Sequence, residues 1–283
     1  MNDDLPEAGQ TPNPDMHDIV GSHDIVLITL DTLRYDAAQA QFRAGRLPNL
    51  ARHLPRGGWE LRHTPGTFTY AAHAAFFAGF LPTPALPGSH ARLFALRFEG
   101  SETTDPHTFV FDNADSVVHG LAQLGYRTIC IGGVGFFNLR NPLGSVLPNL
   151  FAERYWRGEF SVTAPQSTAC QVALASERLR SPELAGQRIF LFVNISAIHQ
   201  PNCHYANATH DSLESHAAAL NYVDGALAPL WATLQARAPT FVVICSDHGT
   251  AYGEGGYVGH RHAHQVVMDV PYAHFLIPSR KAQ

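Results

Sequence analysis

Three apolar runs in this chain are each followed closely by side chains that bind metals, and a fourth segment offers a hydroxyl. DIVLITL leads to Asp31, RIFLFVN to His199 and His204, and TFVVICS to Asp247 and His248, with His260, His262 and His264 shortly after. Converging carboxylates and imidazoles suit a divalent cation. The fourth segment, TFTYAAHAAFFAG, sets Thr67 and Thr69 just ahead of a small, apolar, helix-compatible stretch. A hydroxyl at a helix N-terminus meets free backbone N–H groups, which favour anionic ligands and a lowered hydroxyl pKa.

Taken singly, each piece has an ordinary alternative. Asp31, ahead of TLRYDAAQ, also suits a helix cap, and so do Thr67 and Thr69. SDHG places two ligand types on a short turn, although Asp and His are common turn residues. The spacing GHRHAH puts His260 and His264 on one face of a helix, or all three histidines on one face of a strand, or else forms a solvated loop. Gly133 and Gly135 begin a GxGxxG pattern, but Asn138 stands where the third glycine belongs, so a tight turn is expected. Arg34 and Arg140 are candidate anion contacts, with a surface or salt-bridge role as the alternative.

These residues need a frame to bring them together. Apolar, β-branched runs at 24–30, 126–132, 188–194, 240–246 and 273–278 read as strands covered on both faces. Helix-like stretches lie near 46–54, 70–78, 114–124, 167–180 and 212–236. The alternation predicts a layered α/β/α sandwich with a mostly parallel central sheet. In such a sheet ligands collect at the carboxyl ends of the strands, which is where the candidate residues fall. Residues 1–22, punctuated by Pro, Gly, Asn and Asp, read as a disordered tail, and 23–283 as a single catalytic domain. The stretch 82–112, rich in Pro, Gly, Ser and Thr, reads as a small β excursion or a loop over the site.

Composition narrows the partners. The 283 residues are 45 % hydrophobic and 15 % charged, with a formal charge of −5 and no run of Lys or Arg. That disfavours nucleic acid and anionic membranes as partners, and attraction for any anionic ligand would have to come locally. Of the 17 histidines, nine lie between His199 and His274. The four cysteines are widely spaced and read as reduced thiols. The N-terminus has the wrong order for a signal peptide, and the apolar runs fall far short of a membrane span. The expectation is a soluble, cytoplasmic protein with no membrane partner.

In combination and in order, the segments resemble the sulfatase-like branch of the alkaline phosphatase superfamily, in a compact form with a threonine nucleophile. DIVLITLDTLRYDA is similar to the family's opening strand with its metal-binding Asp. TFTYAAHAAFFAGFLP resembles the nucleophile segment, where the nucleophile stands ten residues before a Gly, which selects Thr69. FLFVNISAIHQP resembles the strand leading to an HxP element, with His199 in that role. CSDHGTAYGEGGYVGHRHAHQVVMDVPY is similar to the second metal segment and the Val-Pro strand after it, and GYRTICIGG adds a weaker match. The resemblance implies that Asp31, Asp247, His248 and the Thr69 hydroxyl hold a cation and that Thr69 is the nucleophile. It implies further that His199, His260, His262 and His264 hold a second cation or grip the transferred group, with His204 a lower candidate.

The departures from the family are informative. Usual sulfatases carry Cys or Ser with Pro two and Arg four residues later, which directs formylglycine formation; TYAAH here does not. Thr32 replaces the usual second acid, and His248 replaces an Asn. Fewer carboxylates and more imidazoles shift the expected cation from Ca²⁺ or Mg²⁺ toward Zn²⁺ or Mn²⁺, one or two ions. The chain ends soon after AHFLIP, so the C-terminal subdomain of full-length sulfatases is not expected. Together these imply a metal-dependent hydrolase or transferase of phosphate mono- or diesters, acting through a phosphothreonine on a small anionic ester. The alternatives are a sulfate- or phosphonate-ester hydrolase and a catalytically silent metal- or anion-binding relative.

Overall fold

Nine strands and seven α-helices build the part of the chain that a computed structural model describes, residues 14–79 and 116–280. The strands are β1 (Asp24–Leu30), β2 (Glu60–His63), β3 (Arg127–Ile131), β4 (Glu153–Tyr155), β5 (Ile189–Ile195), β6 (Thr240–Cys245), β7 (Ala251–Tyr252), β8 (Val258–Gly259) and β9 (Asp269–Ile277). The helices are α1 (Met16–Ile19), α2 (Tyr35–Arg43), α3 (Thr69–Ala78), α4 (Val117–Gln123), α5 (Ser167–Arg180), α6 (Leu213–Arg237) and α7 (Gln265–Met268). Seven strands form one sheet in the order β2-β9-β6-β1-β5-β3-β4, while β7 and β8 form a separate hairpin. The five strands from β6 to β4 are parallel; β9 runs antiparallel to both β6 and β2.

Alternation along the strands sorts the core into two layers, because successive side chains of a strand point to opposite faces. Val26, Ile28 and Leu30 of β1 pack with residues of α2, α5 and α6. Ile25, Phe190, Phe192 and Phe241 pack on the other face with residues of α3 and α4. This is the expected α/β/α sandwich. Under α3, the ring of Phe192 lies 5.2 Å from those of both Phe77 and Phe137. Edge-on aromatic packing of this kind adds roughly 1 kcal/mol per pair to area burial and holds the helix at a fixed height above the sheet.

Several local expectations change. Within 46–54 only Leu50–Arg52 is helical, as a 3-10 turn, because the buried Asp224 carboxylate takes the N–H groups of Asn49 and Leu50 at 3.1 and 2.7 Å. Asp31 caps nothing: α2 starts at Tyr35 with Arg34 before it. Of the stretch read as a tail, 1–13 lie outside the described residues, whereas Ile19 of α1 is buried in the core. The segment 82–112 also lies outside the described residues.

Candidate active site

The carboxyl ends of β6, β1 and β5 are adjacent in the sheet, so residues distant in sequence meet there. Asp31 follows β1, Asp247 and His248 follow β6, and Thr69 opens α3, where first-turn N–H groups lack intrahelical partners. The ligand atoms of Asp31, Asp247 and His248 lie within 4.8 Å of one another, and all three residues are buried. Thr69 Oγ1 stands 3.4 Å from both Asp31 Oδ2 and His248 Nε2. His248 Nδ1 donates to the Gly249 carbonyl at 2.9 Å, which leaves the lone pair on Nε2, facing the carboxylates. Thr32, a β-branched residue at φ 66°, turns its N–H onto Asp247 Oδ1 at 3.3 Å. Left-handed backbone is costly for such a residue, and it persists here where it orients a site carboxylate.

Electrostatics mark the pair of carboxylates as incomplete. Burial, and then the neighbouring Asp247, push the Asp31 carboxyl up to about 6; burial likewise pushes Asp247 up to about 7. Two adjacent buried carboxylates resist sharing two negative charges. Asp31 Oδ1 and Asp247 Oδ2 make no hydrogen bond among the described residues. Buried acceptors are normally satisfied, so two orphaned carboxylate oxygens beside an imidazole lone pair fit a divalent cation.

A second set of imidazoles stands outside this group. The His260 ring is 4.6 Å from that of His248 and 5.6 Å from that of His199. Burial, reinforced by His248 and His199, lowers the His260 imidazole to about 3. His199 Nδ1 donates to the Gln200 carbonyl at 2.5 Å, leaving Nε2 for the site. The Arg261 N–H donates to the Thr67 carbonyl at 2.9 Å, tying this loop to the segment before Thr69.

The other candidates stand outside the grouping of Asp31, Asp247 and His248. Residues 260–264 are neither helix nor strand, and the positive φ of Arg261 breaks the expected common face. His262 stacks on Tyr257 at 4.5 Å, and His264 caps α7 by accepting from the Val266 N–H at 3.3 Å. His204 packs on Tyr205 at 4.1 Å. Arg34 is no anion contact: its buried guanidinium is matched by Asp36, with Nε 2.9 Å from Oδ1, and by Glu254. Arg140 lies over Trp156, 5.0 Å from the ring centroid. The tight turn expected at Gly133 and Gly135 is instead a 3-10 helix over Gly135–Phe137, and Gly133 allows a close approach to β5, since a Cβ there would fall 2.3 Å from the Asn194 carbonyl oxygen.

Two residues not singled out in the sequence complete the site's floor. Asn194 donates to Asp31 Oδ2 at 3.1 Å, and His73 Nδ1 meets the Thr69 carbonyl at 2.7 Å. Their signals are faint: a polar residue near the end of an apolar strand, and a histidine one helical turn after the hydroxyl.

The sequence profile of the family described as Sulfatase matches residues 23–272. The chain belongs to the sulfatase family. Its fold is that of the alkaline phosphatase superfamily, whose sulfatase-like hydrolases and transferases use divalent metal. Among solved structures, this sulfatase-family chain is similar to the C-terminal periplasmic domain of phosphoethanolamine transferase EptC from Campylobacter jejuni. The TM-score is 0.60 at 14 % identity, over 90 % of this chain and 79 % of that one. It is similar to the periplasmic domain of EcEptC from Escherichia coli in complex with Zn, with TM-score 0.58 and 16 % identity over 93 % and 75 % of the two chains. The integral membrane protein lipooligosaccharide phosphoethanolamine transferase A from Neisseria meningitidis matches with TM-score 0.58 and 14 % identity, over 92 % and 48 %. No curated protein matches the chain. The periplasmic neighbours overturn the cytoplasmic location expected from the sequence. Among the described residues no helix is long and apolar enough to cross a membrane.

Proposed function

We propose that this protein is a divalent-metal-dependent phosphoric-ester hydrolase or phosphoryl transferase with Thr69 as its nucleophile. The observation that carries the reading is the Thr69 hydroxyl, 3.4 Å from both Asp31 Oδ2 and His248 Nε2 and beside two carboxylate oxygens that have no hydrogen-bond partner among the described residues. Asp31, Asp247, His248 and the Thr69 hydroxyl would hold the cation. A mixed carboxylate and imidazole set favours Zn²⁺ or Mn²⁺ over Ca²⁺ or Mg²⁺. When bound, such an ion lowers the pKa of a hydroxyl and neutralises charge on the transferred group.

The residues of the chain supply the rest. Thr69 Oγ1, having lost its proton to solvent, bonds to phosphorus as the bond to the leaving oxygen breaks. His199, entering the step as an imidazolium, gives that oxygen its proton from Nε2. In the second half-reaction, water or an acceptor alcohol passes a proton to His199 as its oxygen bonds to phosphorus and the bond from phosphorus to Thr69 Oγ1 breaks, and Thr69 Oγ1 takes back a proton from solvent. Such proton transfer contributes roughly 10²- to 10⁴-fold. His260, beside His199 and His248, grips the transferred group from the same side. Phosphoryl rather than sulfuryl transfer is supported by an unmodified threonine in place of a formylglycine precursor and by neighbours named as phosphoethanolamine transferases.

Turnover of 4-nitrophenyl phosphate, bis(4-nitrophenyl) phosphate and 4-nitrophenyl sulfate, with Zn²⁺ or Mn²⁺ supplied, tests the reading. Thr69→Ala is expected to abolish turnover while metal content, measured by elemental analysis, stays largely intact. Undiminished turnover in that variant removes Thr69 from the mechanism, and turnover of the sulfate ester alone transfers the site to sulfate esters.

A further inference from the structure

Beneath the nucleophile a run of hydrogen bonds has its directions fixed by chemistry. His73 is fully buried in α3, one turn after Thr69. Its Nδ1 lies 2.7 Å from the Thr69 carbonyl oxygen, which can only accept, so Nδ1 carries the hydrogen. Nε2 therefore holds the lone pair, and the Thr29 hydroxyl donates to it at 3.0 Å. With its hydrogen committed, Thr29 Oγ1 accepts from Asn194 Nδ2 at 3.2 Å, and the same amide nitrogen donates to Asp31 Oδ2 at 3.1 Å. Asn194 Oδ1 accepts from the Val134 N–H at 3.0 Å, which fixes the amide's orientation.

The path from Asp31 through Asn194, Thr29 and His73 to Thr69 is unbroken, and its members are all buried. Around the imidazole, the rings of Phe76, Phe77, Phe137 and Phe192 have centroids 5.5, 6.0, 5.0 and 5.5 Å away and leave it no alternative partner. Asp247 Oδ2, at 3.7 Å from Nδ1, is beyond hydrogen-bond reach. Burial also lowers the His73 imidazole to about 3, in keeping with a neutral ring.

We propose that His73 is a positioning residue: its Nδ1–H tautomer, set by the Thr69 carbonyl and braced at Nε2 by Thr29, pins the first turn of α3 and so fixes the Thr69 hydroxyl relative to Asp31. The role in catalysis rests on Thr69 being the nucleophile; the tautomer does not. Misplacement of a reacting atom by about 1 Å costs on the order of 10²-fold in rate, so loosening this turn is felt in kcat rather than in KM.

Two measurements on the full chain test this. Nitrogen-15 NMR of the imidazole is expected to show a protonated Nδ1 and an unprotonated, hydrogen-bonded Nε2 in the wild type, and in Thr29→Val the same protonated Nδ1 with an Nε2 that has lost its hydrogen bond. A proton on Nε2 in the wild type overturns the proposal. Kinetics with 4-nitrophenyl phosphate then compare His73→Phe, which removes both nitrogens, with His73→Asn, whose amide can still reach the Thr69 carbonyl. The Phe variant is expected to lose about 10²-fold in kcat at unchanged KM. The Asn variant is expected to recover most of that loss. Equal kcat in the two variants overturns the role, and so does wild-type kcat in folded Thr29→Val, which serves should His73→Phe not fold. Full activity in Thr69→Ala would defeat the nucleophile reading while leaving the NMR result intact.

Discussion

Asp24 and Asp31 stand at opposite ends of β1, both fully buried, and the protein treats them in opposite ways. Asp24 accepts from Arg237 Nε at 2.8 Å and from the Ile189 N–H at 3.1 Å, with Arg188 3.8 Å away. Asp31 faces another carboxylate, and one of its oxygens has no hydrogen-bond partner among the described residues. Arg237 meanwhile donates to the carbonyls of Leu179, Leu184 and Gln187, so the Asp24 end is a closed lattice joining α5, α6 and β1. A buried charge matched from within the chain belongs to stability. One left unmatched makes room for an ion from outside.

That contrast can be broken experimentally. Asp31→Asn is expected to lower turnover by on the order of 10³-fold or more, by analogy with losing a key electrostatic group, while the metal-free protein melts no lower than the wild type. Activity assays beside a thermal melt check both halves. Asp24→Asn should do the reverse, costing about 3 kcal/mol of stability by breaking a buried pair while kcat per folded molecule is unchanged. Urea denaturation monitored by circular dichroism measures that loss.

Adding metal sharpens the comparison. Because Asp31 and Asp247 titrate higher in the folded chain than in the unfolded one, protonated carboxyls favour folding at low pH. Stability of the metal-free protein should therefore fall as pH rises from about 4 through 7. Zn²⁺ or Mn²⁺ at about 100 times its Kd should restore about 2.7 kcal/mol at neutral pH and little at pH 4, where protons compete for the same oxygens. Calorimetric melts across this range, with and without metal, settle the sign. The smallest effects are expected in the outer loop. His260→Ala should lower kcat/KM about 10-fold, less than the roughly 10²- to 10⁴-fold of a proton-transfer group because it only grips the transferred group, and His262→Ala and His264→Ala less than about 2-fold. Steady-state kinetics on the three variants rank them.

The parts of the site legible in the sequence were those carried by strand ends. An apolar run such as DIVLITL or TFVVICS gives a buried parallel strand by composition alone, and the polar residue after it must emerge at the carboxyl edge. Asp31, Asp247 and His248 follow from that rule; the place before a small apolar helix offered both Thr67 and Thr69, and the family resemblance selected Thr69. The short edge strands β2 and β4 had no such signal, because Glu60–His63 and Glu153–Tyr155 are mixed in polarity and gain their geometry from neighbouring strands. The grouping of His260 apart from His262 and His264 depended on the positive φ of Arg261, which no periodicity encodes. Arg34 looked free because Glu254, one of its two partners, lies 220 residues away in sequence. His73 and Asn194 were hidden for a related reason: their roles are hydrogen bonds across elements, legible only once α3 sits on the sheet.

The order β6-β1-β5 also has a consequence for synthesis. Thr32 and Asp247 are separated by 215 residues, so the edge that carries the candidate site is closed by one of the later described strands to be made. At roughly 5–20 residues per second, β1 waits roughly 10–40 s for β6. During that interval one flank of β1, an almost wholly apolar strand, has no partner, which is the kind of edge that recruits foreign strands. The growing chain thus exposes an unpaired edge along the line that carries Asp31. Docking of β6 ends the exposure and assembles the ligand set in a single event.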